Sequence, residues 1–122
     1  MKGIDKILDK LTSEIVRSKG KCEVCSKSGK LDCHHYYGRR IRIFRWDLRN
    51  LVCLCSGCHT LNKVSFHQNP EWGVKWFKEN RKEDYEYLFE HQFDNPLKDW
   101  QKQELYKELK ERDENLQNST RS

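Results

Sequence analysis

Between residues 3 and 19 the apolar positions Ile4, Ile7, Leu8, Leu11, Ile15 and Val16 recur at spacings of three and four, with lysines and acids between them. That period places them on one stripe of an amphipathic helix, which should end near Gly20. The stripe is short and is expected to pack on the rest of the domain, with a partner helix as the alternative. From Ile41 to Leu54 β-branched, aromatic and arginine residues dominate, with turn-like polar residues over Asp47 to Asn50, and two short strands are predicted there. A helix should begin near Gly57 or Cys58 and carry His59. Over residues 71–93, Trp72, Trp76, Phe77, Tyr85, Leu88 and Phe89 suggest two helical pieces broken near Asn80, with Pro70 at the first N-terminus. These residues are expected to cover the core. Pro96 opens a long charged helix through Leu97, Trp100, Leu105, Leu109 and Leu116. Its thin stripe could dock on the domain, pair with a second copy or a protein partner, or stand in solvent. Residues Asn118 to Ser122 are expected to be disordered.

With 122 residues and 35% hydrophobic content the chain amounts to one domain with a modest core, which needs help to fold. Six cysteines could supply it as disulfides or as metal ligands. The start, Met1-Lys2-Gly3-Ile4-Asp5-Lys6, lacks the apolar run of a signal peptide, so a reducing, cytoplasmic setting is expected, and metal is favoured over disulfide. No stretch approaches the roughly 20 apolar residues of a membrane span, and no membrane partner is expected.

Two pairs, Cys22-x2-Cys25 and Cys55-x2-Cys58, can each place two thiolates on one tight turn. Together they match the four soft ligands of a closed, structural zinc site. Ser26, Ser28 and Gly29 mark the first pair as a knuckle rather than a helix. Cys33 and Cys53 lack such pairing and read as small apolar strand residues, with Cys53 in place of Cys55 as a minor alternative. Between the pairs stand His34 and His35, with Asn50 and His59 close to the second. These are ligand and base types that metal-assisted phosphodiester cleavage requires. The net charge of +5 is too mild to identify a polyanion binder. Its distribution says more. Arg39, Arg40, Arg42, Arg45 and Arg49 alternate with Tyr36, Tyr37, Phe44 and Trp46, a pattern able to fork onto phosphates and stack on bases. The alternative is a solvated hairpin whose aromatics pack the core.

Cys22-x2-Cys25, His34-His35, Asn50, Cys55-x2-Cys58 and His59 resemble, in this order, the zinc-containing HNH (ββα-metal) endonucleases, and most closely small phage-encoded members. The resemblance covers about residues 20–70. It implies an α+β fold: a small ββα-metal (His-Me finger) core stapled by a four-cysteine zinc site, flanked by N-terminal and C-terminal helices. The divisions expected are 1–19 for the N-terminal helix, 20–70 for the core, 71–93 for a helical cover and 94–122 for the charged helix and tail. By the same resemblance His34 and His59 are ligands of a catalytic cation, His35 is the general base, and Asn50 fixes the base's orientation by hydrogen bonding across the hairpin. His67 is a further candidate ligand, since on a continuous helix it and Asn62 would lie near the face of His59.

The activity implied is hydrolysis of DNA phosphodiester bonds with structural Zn2+ and a catalytic divalent cation, Mn2+, Ni2+, Zn2+ or Mg2+. Imidazole ligands suit the first three better than Mg2+, which prefers oxygen. Consecutive strand residues face opposite sides, so His34 and His35 can share a site only where the strand becomes irregular. Two readings of other classes stand beside this one. The first is a zinc-stapled nucleic-acid-binding module without turnover. The second is a structural or regulatory phage protein that acts through its C-terminal helix.

Overall fold

The computed structural model describes residues 3–120, and side chains to residue 118. The chain is α+β. Helix α1 (Ile4–Arg17) leads through a knuckle to strand β1 (Leu31–His35), a long loop and strand β2 (Leu51–Cys55), and then one wide helical turn. Helices α2 (Pro70–Asn80), α3 (Lys82–His91) and α4 (Asp99–Thr120) follow. The strands form a two-stranded antiparallel sheet in which Leu31 faces Cys55, Cys33 faces Cys53 and His35 faces Leu51.

The strand expectation is corrected here. Residues 41–50 are not extended. Phe44 N–H bonds to Ile41 O, Asp47 N–H to Phe44 O and Asn50 N–H to Asp47 O, so the segment winds as successive 3-10 turns. Asp47 caps the second turn by accepting from Arg49 N–H. β1 instead comes from Leu31-Asp32-Cys33-His34-His35, whose mixed polarity gave no alternating signal. Every residue of β2 is buried, which is why it reads as a continuous apolar run.

Two clusters make the core. One gathers Val16, Phe44, β2, Phe66, Phe77 and Leu88 around the cysteines. The other joins Ile4, Leu8 and Ile15 of α1 to Trp46 and Leu109, with Leu105 and Tyr106 packed against it. The leucine stripe of α4 therefore lies on α1 of the same chain. Trp100 and Phe89, expected in apolar stripes, are instead exposed, at 65% and 58%. The helix reaches Thr120, so the expected disorder does not hold for Asn118 to Thr120, and Arg121 and Ser122 lie outside the described residues. No helix of the described residues is long and apolar enough to cross a membrane.

The predicted break near Asn80 is where Arg81 works. Its guanidinium donates to Glu23, Asp84 and the carbonyls of Arg49 and Leu51, while Glu23 accepts from Cys53 N–H. One side chain thus ties the α2–α3 junction to the knuckle and the start of β2. On α2, Gly73 is needed for close approach: a Cβ there would lie 2.9 Å from Cδ2 of Phe66. That ring cannot easily retreat, since Trp72, Trp76 and His34 surround it with centroids 5.4, 5.6 and 4.9 Å away. Gly73→Ala gains about 1 kcal/mol of helix propensity but overpacks at a cost of about 1–3 kcal/mol. The expected net loss is about 1 kcal/mol in urea unfolding, with a change in the ring signals of His34. A gain in stability would mean that Phe66 moves freely.

Candidate metal centres and cleft

Two clusters of side chains could each hold a metal ion. The first is sulfur. The knuckle closes with Cys22 N–H to Lys27 O and Ser26 N–H to Cys22 O, and Ser26 takes φ 65° to complete the turn. Cys55 ends β2, and the wide turn brings Cys58 N–H 3.5 Å from Cys55 Sγ. All four sulfurs lie within 4.8 Å of one another, with Cys25 Sγ and Cys55 Sγ 3.7 Å apart. Sulfurs about 2.3 Å from a tetrahedral zinc ion stand about 3.8 Å apart. All six cysteines are free thiols, and Cys33 and Cys53 face each other on the sheet outside this group. The Cys58 N–H bond holds the Cys55 thiol down at about 7, while burial pushes that of Cys58 up. The group could hold a metal ion such as zinc.

The second cluster is imidazole. Gly57–Leu61 forms the wide turn, which ends with Asn62 N–H bonded to Gly57 O. The continuous helix expected to carry His59, Asn62 and His67 is therefore absent: the Asn62 side chain lies over Gly57. His67 arrives by another route, with its N–H bonded to His59 O. The ring centroids of His34, His59 and His67 are 5.1, 5.1 and 4.7 Å apart, and Nε2 of His59 and His67 are 3.1 Å apart. Nitrogens about 2.0–2.1 Å from one ion would be separated by about 2.9–3.4 Å for angles between square and tetrahedral. The three imidazoles could thus hold a metal ion. His59 Nδ1 bonds to Asp32 Oδ2 at 3.0 Å, the outer support by which a carboxylate orients a ligating imidazole. Asp32 went unnoticed in the sequence, although its place two residues before His34 is a usable signal. Burial, then the neighbouring imidazoles, push His34 down to about 3, so it stays neutral as a ligand must.

His35 points elsewhere. Its Nε2 is 3.0 Å from the carbonyl of Arg45. A carbonyl only accepts, so Nε2 carries the hydrogen and Nδ1 keeps its lone pair. Burial, its main influence, lowers the pKa of His35. The ring lines a cleft of about 480 Å³ together with Asp32, His59, Arg39, Arg17 and Asp9. His59 lines the same cleft, whereas His34 turns to the other face of β1.

Asn50 is fully buried and hydrogen-bonds across the hairpin to the backbone of Tyr37, beside His35, and to the Phe44 carbonyl. It shapes the loop whose next carbonyl, that of Arg45, holds the ring. Arg45 was expected on nucleic acid, yet its guanidinium forks onto Asp9 at 3.0 and 2.7 Å. The aromatics belong to the core, not to base stacking: Phe44 and Trp46 are buried and Tyr36 stacks on Phe77 at 3.9 Å. Arg39, Arg40 and Arg42 are exposed on the loop, and Arg17 of α1 joins Arg39 at the cleft. Comparison with protein-family models, curated proteins and solved structures finds no match.

Metal analysis is expected to find, in the sulfur cluster, one ion per chain that Cys25→Ser releases, and chelation should lower Tm by more than about 10 °C. Acid should release it too, because protons reclaim the thiolates. His34 carries its proton below 6.5 when unfolded but only below about 3 when folded. The unfolded chain binds the extra proton between those values, so His34 contributes a loss of stability as pH falls through that window and none above it. Side-chain nitrogen shifts should show His34 neutral at about pH 5, where an unburied imidazole is mostly charged.

Proposed function

We propose that this protein is a metal-dependent endonuclease of the HNH (ββα-metal) type, with a structural zinc ion on Cys22, Cys25, Cys55 and Cys58, that hydrolyses DNA phosphodiester bonds. One observation carries the reading: a neutral imidazole with a defined lone pair, His35, shares a cleft with His59 of the three-imidazole cluster. A binding module needs the thiols and the arginines but has no use for an oriented, uncharged base.

A divalent cation on His34, His59 and His67 would supply Lewis acidity to the scissile phosphate and the leaving oxygen. The chain's own groups account for the rest. His35 takes a proton at Nδ1 from the water that attacks phosphorus in line, and its Nε2–H stays on the Arg45 carbonyl throughout. Asp32 holds the His59 ring so that Nε2 faces the cluster. Arg39 and Arg17 line the cleft and can pair with the phosphates on either side of the cut, while Arg40 and Arg42 extend that positive surface along the loop. Such contacts position a backbone without reading bases, so sequence preference should be weak. The leaving group is the 3′ oxygen, giving 5′-phosphate ends.

Nicking of supercoiled plasmid in the presence of Mn2+, Ni2+, Zn2+ or Mg2+ tests the reading. His35→Ala is expected to lower the rate by about 10²–10⁴-fold with DNA affinity kept. His59→Ala should lose both activity and one bound ion. DNA binding without cleavage under every ion would instead favour the module without turnover.

A further inference from the structure

Arg45 is held at both ends. Its carbonyl accepts from His35, and its guanidinium is clamped to α1, where Asp9 Oδ1 accepts from Arg45 Nε at 3.0 Å and Asp9 Oδ2 from Nη2 at 2.7 Å. Asp9 Oδ1 also accepts from Trp46 Nε1 at 2.8 Å, so one carboxylate fixes two consecutive residues of the loop. Asp5 adds a longer contact of 3.8 Å to Arg45, and Lys102 of α4 bonds to Asp5 at 2.9 Å while its ammonium sits over the Trp46 ring. Between the clamped guanidinium and the carbonyl on His35 stand only the side chain and backbone of Arg45, and the next residue, Trp46, is tied to the same carboxylate. A shift of α1 can therefore reach that carbonyl through one residue held on both sides. A bidentate fork joined to a charge network also adds stability, so a positioning role is told apart from a purely stabilising one by the tautomer of His35.

We infer that Asp9 is a positioning residue: through Arg45 it sets the place and the tautomer of His35, so that the helix pair α1 and α4 governs the competence of the base. The inference rests on the proposed nuclease reading for its kinetic consequence but not for its structural one. It also reassigns Arg45. If that guanidinium were a phosphate contact, releasing it from Asp9 would tighten DNA binding and steepen its salt dependence by about one unit of slope.

The experiment compares full-length, metal-loaded wild type with Asp9→Ala, Asp9→Asn and Arg45→Ala. Circular dichroism and metal content serve as the check that each variant is folded. Asp9→Ala and Arg45→Ala are expected to lower kcat by about tenfold to a hundredfold with KM changed by less than about twofold, as a misplaced base would. Asp9→Asn keeps an acceptor for Trp46 Nε1 and should recover part of the loss. The second readout is independent of activity. Side-chain nitrogen NMR of His35 should show a protonated Nε2 and an unprotonated Nδ1 in wild type, and a tautomer mixture in both alanine variants. Unchanged His35 tautomer shifts in folded Asp9→Ala, or an Asp9→Ala that keeps kcat and binds DNA more tightly, would overturn the inference. A wild type that cleaves nothing under any ion removes the nuclease reading, and the tautomer measurement still decides the role of Asp9.

Discussion

Four sulfurs within 4.8 Å of one another join the knuckle at residues 22–25 to the end of β2 and the turn after it, and the rest of the site takes its place from that junction. A two-stranded sheet is marginal by itself and needs helix packing or a further tie between its ends. Linking residue 22 to residue 58 through a shared ion would close the loop that contains β1, the 3-10 turns and β2. The backing from Arg81 and Glu23 works on the same corner, bonding the knuckle's acid to Cys53 N–H and the helical junction to Leu51 O. Cys55 and Cys58 start the wide turn that displays His59, so the sulfur cluster and the imidazole cluster share one short piece of backbone.

The two members of the histidine doublet face different surroundings because a strand alternates. His34 turns to His59, His67 and the Phe66 ring, whereas His35 turns to the Arg45 carbonyl and the cleft. Burial lowers the pKa of both imidazoles, and a neutral imidazole keeps the lone pair that a metal ion or a proton would need. Hydrogen bonding then selects which nitrogen is available. Asp32 does this for His59 and the Arg45 carbonyl does it for His35. Asn50 belongs to the same arrangement at one remove, since it closes the loop through Tyr37 and Phe44 rather than touching the imidazole.

The loop at residues 36–50 shows where a pattern of residue types misleads. Its β-branched and aromatic composition suggested strands, but Phe44 is buried in the cysteine-centred core and Trp46 between α1 and α4, which come from opposite ends of the chain. Burial there is imposed by distant partners and needs no alternation. The arginines behave in the same way. Arg45 and Arg49 look like their neighbours in sequence, yet Arg45 meets Asp9 and Arg49 meets Asp47 and the Tyr87 ring. Arg39, Arg40 and Arg42 are exposed on the loop.

What the residues by themselves determined were features set over a few positions: the stripe of α1, the Pro70 start and Asn80 break, two Cys-x2-Cys turns, and a histidine doublet near them. Those depend on helix period, turn length and φ preferences, which act locally. Only the folded chain decided which histidines come together, which nitrogen of His35 faces the Arg45 carbonyl, and that Asp9 and Asp32 bond to Arg45 and His59. Each of those outcomes depends on contacts between separate elements, created when packing brings them together, and no local spacing encodes them.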